Sequence, residues 1–345
     1  MALKPRTATQ LDVANLAKVS TATVSRVLNH SSAISPNVKA RVLTAIDELG
    51  YIRDAGARAL AMQRSGTLGA IIPTLNNAIF AEGINAFERT AQELGYTLIL
   101  SVSQQNLDHE HDLVIKMIER GVDGLLLVGN RHNDAVYRRL DQTGVRYVCT
   151  WAHDAKSLSA NVGFDNRQAM HAVVDHLFGL GHRQIAMLAG QSLDNDRAMD
   201  RITGVRERLE SKGLSLPANR VIEVPYSVAE SRKAFTAVTQ KPVTALICGN
   251  DVIAYGALLE AQKQGVDVPG DLSITGFDDL SLSAELSPAL TTVQVGAEPM
   301  GELAAKKLIY AVDNQLDVES ALLQTELVVR ETTARVSIQA FNVLR

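Results

Sequence analysis

One grammar recurs along most of this chain: a short apolar run, an amphipathic stretch of helix length, a glycine, then another apolar run. Residues 68–73 lead into Phe80, Ile84, Phe87, Ala91 and Leu94 at helical spacing, and Gly95 closes them before the run 97–102. Met117 and Ile118 precede Gly121 and the run 124–128; Val136 and Leu140 precede Gly144 and the run 147–150. The pattern returns with Leu177, Gly181 and 184–188, with Leu209 and Gly213, and with Leu258, Gly265 and 272–276. Strands that alternate with helices build parallel sheets covered on both faces. There are more units than one sheet of ordinary width needs. The expected fold is therefore α/β, with two Rossmann-like lobes and late segments returning to the first. The expected boundaries are 67–165 plus 296–323 for the first lobe and 166–295 plus 324–336 for the second. Ligands of such folds sit beyond the carboxyl ends of the strands. Two facing lobes place that crevice between them, where closure is a hinge motion.

The first 52 residues follow a different rule. Thr9-Gln10-Leu11-Asp12 is a capping box, and Leu11, Val13, Ala14, Leu16 and Ala17 give the helix after it an apolar side. Ser20 is a natural N-cap for a second helix over 21–28, with Val24, Val27 and Leu28 apolar and Thr21, Ala22, Ser25 and Arg26 on another face. Ser35-Pro36 opens a third, where Val38, Val42, Ile46 and Leu49 recur until Gly50 stops it. Two short helices joined by about three residues, then a third that closes the core, is the helix-turn-helix plan. Residues 1–64 hold nine Lys/Arg against four Asp/Glu, a net +5, on a body of net −9. A basic head suggests a polyanionic partner, and a helix fits the major groove of DNA. From the pattern alone, a three-helix bundle without a ligand stays open beside a DNA-binding head.

Three stretches carry a specific resemblance: Asp12-Val13-Ala14, the run from Val19 to Asn29 (VSTATVSRVLN), and Leu49-Gly50-Tyr51. They resemble the head of the lactose repressor/galactose repressor (LacI/GalR) family of bacterial transcription regulators. Further family-like stretches are Val122-Asp123-Gly124-Leu125, Gly163-Phe164-Asp165-Asn166, Gly276-Phe277-Asp278-Asp279 and Arg330-Glu331-Thr332-Thr333, so the resemblance covers about residues 8–336. It implies a periplasmic-binding-protein-like body behind the helix-turn-helix head. It also implies that Thr21, Ala22 and Arg26 face base edges, while Ser20, Thr23, Ser25 and Asn29 sit near phosphates or support the turn. Residues 53–66 would form a hinge helix on DNA, with Leu60 as a wedge in the minor groove. Alanines 55, 57, 59 and 61 favour that helix, whereas Gly56 opposes it.

Effector-binding candidates cluster after the strands. Asp278 follows the expected strand 272–277, where a carboxylate can accept two hydroxyls of a polyol, and the resemblance places a ligand-binding Asp here. Arg201 matches a ligand-binding Arg of the family. Arg197 either joins it in holding a carboxylate or phosphate or is a surface charge. Asn250 and Asp251 end the run Ala245–Cys248, with helix capping an equal role for Asp251. Asp165 and Asn166 either bind ligand or turn the chain at a crossover. Phe80 and Tyr226 follow strands and stack on a ring or belong to the core; the lone tryptophan, Trp151, is a pocket wall or a core plug. Ile79 stands where some relatives place a second aromatic, which weighs against a flat purine.

The exclusions are compositional. Two cysteines in apolar runs build neither a disulfide framework nor a zinc site. The eight histidines show no metal-ligand spacing, and the nucleotide and hydrolase glycine motifs are absent, which counts against an enzyme. No apolar run reaches the roughly 18 residues of a membrane helix, and the start lacks a secretion signal. The expected protein is a cytoplasmic regulator, a repressor, without cofactor or metal and without membrane partner. It would bind a double-stranded DNA operator as a homodimer under control of a small polar metabolite, a sugar or sugar acid. The alternative is a periplasmic-type solute-binding protein, which the body permits and the head opposes. With about ten residues, Val336 to Arg345, beyond the last family-like segment, too few for a heptad helix, no stable tetramer is expected.

Overall fold

The computed structural model describes residues 8–28, 34–52 and 64–336, and the chain divides into two compact units, Met1–Ser65 and Gly66–Arg345. The first holds helices α1 (Gln10–Ala17), α2 (Thr21–Leu28) and α3 (Pro36–Leu49). The capping box forms: Asp12 N donates to Thr9 Oγ1 at 3.3 Å, and Thr9 N donates to the Asp12 carboxylate at 2.8 Å. Lys18 turns the chain in the left-handed region (φ 53°), and Ser20 Oγ accepts from Thr23 N at 3.1 Å to start α2. The core of this unit is Val13, Ala14, Ala17, Val24, Val27, Val42 and Ala45. Leu11 and Leu16, expected on the buried side of the first helix, are 58% and 47% exposed. A helix turns about 100° per residue, so both lie about 110° from the centre of the stripe that Val13, Ala14 and Ala17 define.

The second unit runs in chain order through β1 (Thr67–Ile72), α4 (Ala78–Glu93), β2 (Thr97–Val102), α5 (Leu107–Glu119), β3 (Gly124–Val128), α6 (Asp134–Thr143), β4 (Arg146–Thr150) and β5 (Asn161–Gly163). It continues with α7 (Asn166–Gly179), β6 (Ile185–Gly190), α8 (Asp196–Ser211), β7 (Val221–Val224), α9 (Val228–Val238), β8 (Ala245–Cys248), α10 (Asp251–Gln264) and β9 (Ser273–Thr275). It ends with α11 (Leu282–Glu285), β10 (Thr292–Gln294), α12 (Ala297–Asn314), β11 (Ala321–Leu322) and β12 (Glu326–Val328). One sheet has the order β11-β5-β4-β3-β1-β2 and the other β7-β6-β8-β9, and every neighbouring pair in both is parallel. β10 and β12 pair antiparallel outside them. The chain passes between the lobes after β5, after β10 and after β11.

The strands are near-continuous apolar runs because helices cover both faces; β3 and β6 are buried along their whole length. α12 packs along α4 of the first lobe. One detail differs from the sequence reading. The strand expected over 272–277 keeps regular pairing only at Ser273–Thr275, because the backbone leaves the sheet and Asp278 takes φ 113°. The strand expected before Tyr226, given without bounds, is β7, a half-buried edge strand whose Val221, Ile222, Glu223 and Val224 form no long apolar run. Among the described residues no helix is long and apolar enough to cross a membrane.

Candidate functional sites: an exposed helix and an inter-lobe cleft

In the first unit, α2 buries Val24 and Val27 and turns its other side outward. Thr21, Ala22 and Arg26 are exposed, Thr23 and Ser25 half-buried. Gln10 Nε2 donates to Thr21 O at 3.0 Å, which ties the start of α2 to α1. The Ser20 and Thr23 hydroxyls are 2.9 Å apart, so these two residues first of all build the helix start. Asn29, Leu60 and most of the proposed hinge lie outside the described residues.

In the second unit, the carboxyl ends of both parallel sheets face one cleft between the lobes. From the first lobe come Asn77, Ile79 and Phe80 after β1, Gln105 after β2 and Trp151 after β4. Phe80 and Trp151 meet edge to face with ring centroids 5.1 Å apart. Phe164 enters from the first crossover. From the second lobe come Asn195, Arg197 and Arg201 after β6, Tyr226 after β7, Asn250 after β8 and Asp278 after β9. Three of the lining asparagines also start helices: Ile79 N donates to Asn77 Oδ1 at 3.4 Å, Ala198 N to Asn195 Oδ1 at 3.3 Å, and Ile253 N to Asn250 Oδ1 at 2.9 Å. Asn195 Nδ2 donates to the Tyr226 hydroxyl at 3.2 Å. That ring lies so close to Gly190 that a Cβ there would sit 2.3 Å from it.

The two cleft guanidiniums are held by protein groups. Arg201 Nη1 donates to Gly249 O at 2.7 Å, stands 4.0 Å from Asp278 Oδ1, and its guanidinium lies 4.5 Å over the Phe277 ring. Arg197 Nη1 donates to Val128 O at 3.1 Å and to Asp196 Oδ1 at 2.9 Å. Burial pushes the Asp278 carboxyl up to about 8 and nearby Asp251 adds to this, while Arg201 and the Asn250 amide pull it down. Trp151 Nε1 and Asn250 Nδ2 are buried donors with no well-formed hydrogen bond to a protein acceptor.

Asp251 does not line the cleft. Its carboxylate accepts from Leu280 N (2.8 Å), Ser283 Oγ (2.6 Å) and Thr292 Oγ1 (2.5 Å), which fixes the loop carrying Asp278. Burial raises its pKa to about 6 against those hydrogen bonds.

Residues 9–54 match the sequence model of bacterial regulatory proteins of the lacI family, and residues 174–333 match that of the periplasmic binding protein-like domain. Over 318 residues the chain is 33% identical to catabolite control protein A of Priestia megaterium, covering 91% of this chain and 95% of that protein. The chain belongs to the LacI family. It is a transcriptional regulator. The LacI-family architecture extends over nearly its whole length: the lac repressor dimer bound to operator and the anti-inducer ONPF superposes with a TM-score of 0.85 at 27% identity, covering 95% of this chain and 100% of that one. The transcriptional regulator CelR in complex with cellobiose superposes with a TM-score of 0.69 at 28% identity, covering 94% and 99%.

Of the effector-binding candidates in this LacI-family chain, Phe80, Arg197, Arg201, Tyr226, Asn250 and Asp278 come together in the cleft. Asp165 does not: it is exposed, and its carboxylate accepts from Arg167 N (2.9 Å) and Gln168 N (3.0 Å) as the N-cap of α7. Its neighbour Asn166 is buried and donates to Trp151 O at 3.1 Å. Asn77, Gln105, Phe164 and Asn195 escaped the sequence reading. Asn77, Gln105 and Asn195 each stand three to five residues beyond a parallel strand, which is the signal that could have found them.

Proposed function

We propose that this regulator binds a palindromic operator as a homodimer and senses a neutral, polyhydroxylated ligand, a sugar, in its inter-lobe cleft. The outward side of α2 reads the major groove. Thr21, Ala22 and Arg26 face base edges, and Ser20, Thr23, Ser25 and Asn29 lie toward phosphates. Residues 53–66, with Leu60, transmit between cleft and head. A symmetric dimer presents two such heads to two half-sites. The related lac repressor structure, a dimer on its operator, supports this arrangement. The structurally similar regulator CelR, in complex with cellobiose, supports a saccharide. The cleft then acts as a sensor and not as a catalytic centre, and the protein works where the chromosome lies.

The observation that carries the ligand class is the state of the lining charges. Arg197 is paired with the Asp196 carboxylate and Val128 O, and Arg201 is held by Gly249 O under the Phe277 ring, so both lining guanidiniums already have protein partners. What the cleft offers instead is the Asp278 carboxyl as acceptor, Asn250 Nδ2 and Trp151 Nε1 as donors, and aromatic faces at Phe80, Trp151 and Tyr226. That set suits a ring with several hydroxyls. Thermal-shift measurements on the full chain, with neutral mono- and disaccharides against aldonates, sugar phosphates and nucleobases, test it. A neutral saccharide is expected to raise the melting temperature, and Asp278→Ala to abolish the rise. Stabilisation by anionic compounds only would overturn the assignment. Gel shifts with the upstream DNA test the head: the bound fraction should fall when the matching saccharide is added or removed.

A further inference from the structure

On the β3 side of the cleft, the two lobes are joined by bonds that use protein groups alone. Arg197 Nη1, on the second lobe, donates to Val128 O of the first at 3.1 Å. Its neighbour Asp196 accepts from Asn130 N through Oδ2 at 2.6 Å, and Arg131 Nη2 stands 3.3 Å from Asp194 Oδ1. The residue in the middle of this junction is Gly129, at φ 87°. A Cβ at that position would lie 2.0 Å from Arg197 Nη1 and 2.5 Å from Asp196 Oδ1. The close approach therefore requires glycine on two counts, backbone conformation and space.

The loop is held from behind by groups of its own lobe. His132 Nδ1 is 2.6 Å from Glu110 Oε1, and its Nε2 is 3.0 Å from Gly129 O. A carbonyl and a carboxylate only accept, so the pair satisfies both ring nitrogens as an imidazolium with a carboxylate. The His132 side chain is fully buried. Tyr137 donates its hydroxyl to Asn130 O at 2.7 Å and packs edge-on to the His132 ring at 5.5 Å. The carbonyls of Gly129 and Asn130 are thus turned into the first lobe. Val128 O and Asn130 N are left facing the second.

We propose that this junction is a built-in clasp: Asp196 and Arg197 hold the second lobe onto the loop at 128–130 of the first, and Glu110, His132 and Tyr137 position that loop to receive them. Arg197 is then a closure residue, although it lines the cleft, and it sets how far the cleft rests open. A ligand in the cleft works against or with that fixed bias, because it shifts the lobe equilibrium only by its difference in affinity for the two states. The clasp does not depend on which ligand binds, so its test is separate from that of the sensing reaction.

Trp151, the only tryptophan, lines the same cleft and is 3% exposed. Acrylamide quenching of its fluorescence in the full chain therefore reports opening. Arg197→Met and Asp196→Ala are each expected to raise the quenching constant about two-fold or more, with the far-UV circular dichroism unchanged. Gly129→Ala should act in the same direction. His132→Gln should also raise quenching, and adding it to Arg197→Met should raise it no further, since both act through one junction. Wild-type quenching in both Arg197→Met and Asp196→Ala overturns the clasp. So does loss of the folded signal in both, because a junction between two folded lobes is not needed for either to fold. A His132→Gln variant that melts earlier yet quenches like wild type overturns the positioning role and leaves His132 as a fold support.

Discussion

Replacing Asp278 by Asn should flatten the dependence of stability on pH above neutrality's acid side, and the size of the effect follows from burial. Burial, with Asp251 close by, raises the Asp278 carboxyl from 3.8 to about 8. The folded chain thus keeps a proton that the unfolded chain gives up. Below the unfolded value both states hold it, and the group costs nothing. As pH rises from about 4 toward 8, the folded state loses about 1.4 kcal/mol per pH unit relative to the unfolded one, at most about 4 kcal/mol by pH 7. Asp251, raised to about 6, adds the same sign over the lower part of the window. His176 and His182, lowered by burial, add the opposite sign. The histidine contributions are shared by the two proteins and cancel in the comparison, whereas that of Asp251, coupled to Asp278, is carried over only in part. Urea unfolding of the wild type and Asp278→Asn at pH 6, 7 and 8 is the assay. The wild type should lose about 1 kcal/mol more per pH unit than the variant. Parallel curves would refute a buried, proton-holding Asp278. The same reasoning makes saccharide binding release a proton near pH 7, since donated hydroxyls favour the carboxylate.

Other outcomes follow from single contacts. Arg26→Ala should cost about 1–3 kcal/mol at one operator position and relax the preference there; an equal loss on every sequence, read by gel shift on operator variants, would move Arg26 to the phosphates. Thr9→Ala removes one bond of the capping box at α1 and should destabilise the first unit by about 1 kcal/mol, which the thermal unfolding of that unit checks. Phe235→Ala, at a side chain of zero exposure, should cost about 3–5 kcal/mol in chemical unfolding; a cost under about 1 kcal/mol would mean the site collapses around the gap.

Much of the fold was legible because its signals are local. Ser35-Pro36, Gly50, Gly144 and Gly265 mark helix ends in sequence and do so in the structure. The apolar runs 124–128 and 245–248 are strands at those bounds because both sheet faces are covered. What was not legible depends on contacts distant in sequence. Nothing near Arg197 says that its guanidinium meets Val128 O, 69 residues earlier. Nothing near Asp251 says that it fixes a loop about 30 residues later. Asp165 was open between binding ligand and turning the chain at a crossover, and the helix that begins at once after it takes its oxygens. Leu11 and Leu16 read as core because apolar content was visible and the direction of the helix stripe was not.

The cleft asparagines that open helices face two ways. In Asn250 the oxygen belongs to the scaffold, since it anchors α10, while the nitrogen faces the Asp278 carboxyl and the cleft. Exchange for aspartate would preserve the anchor and reverse what a ligand meets, from a donor to an acceptor. A scaffold wired in this manner lets ligand preference drift by single steps while the architecture behind it stays put.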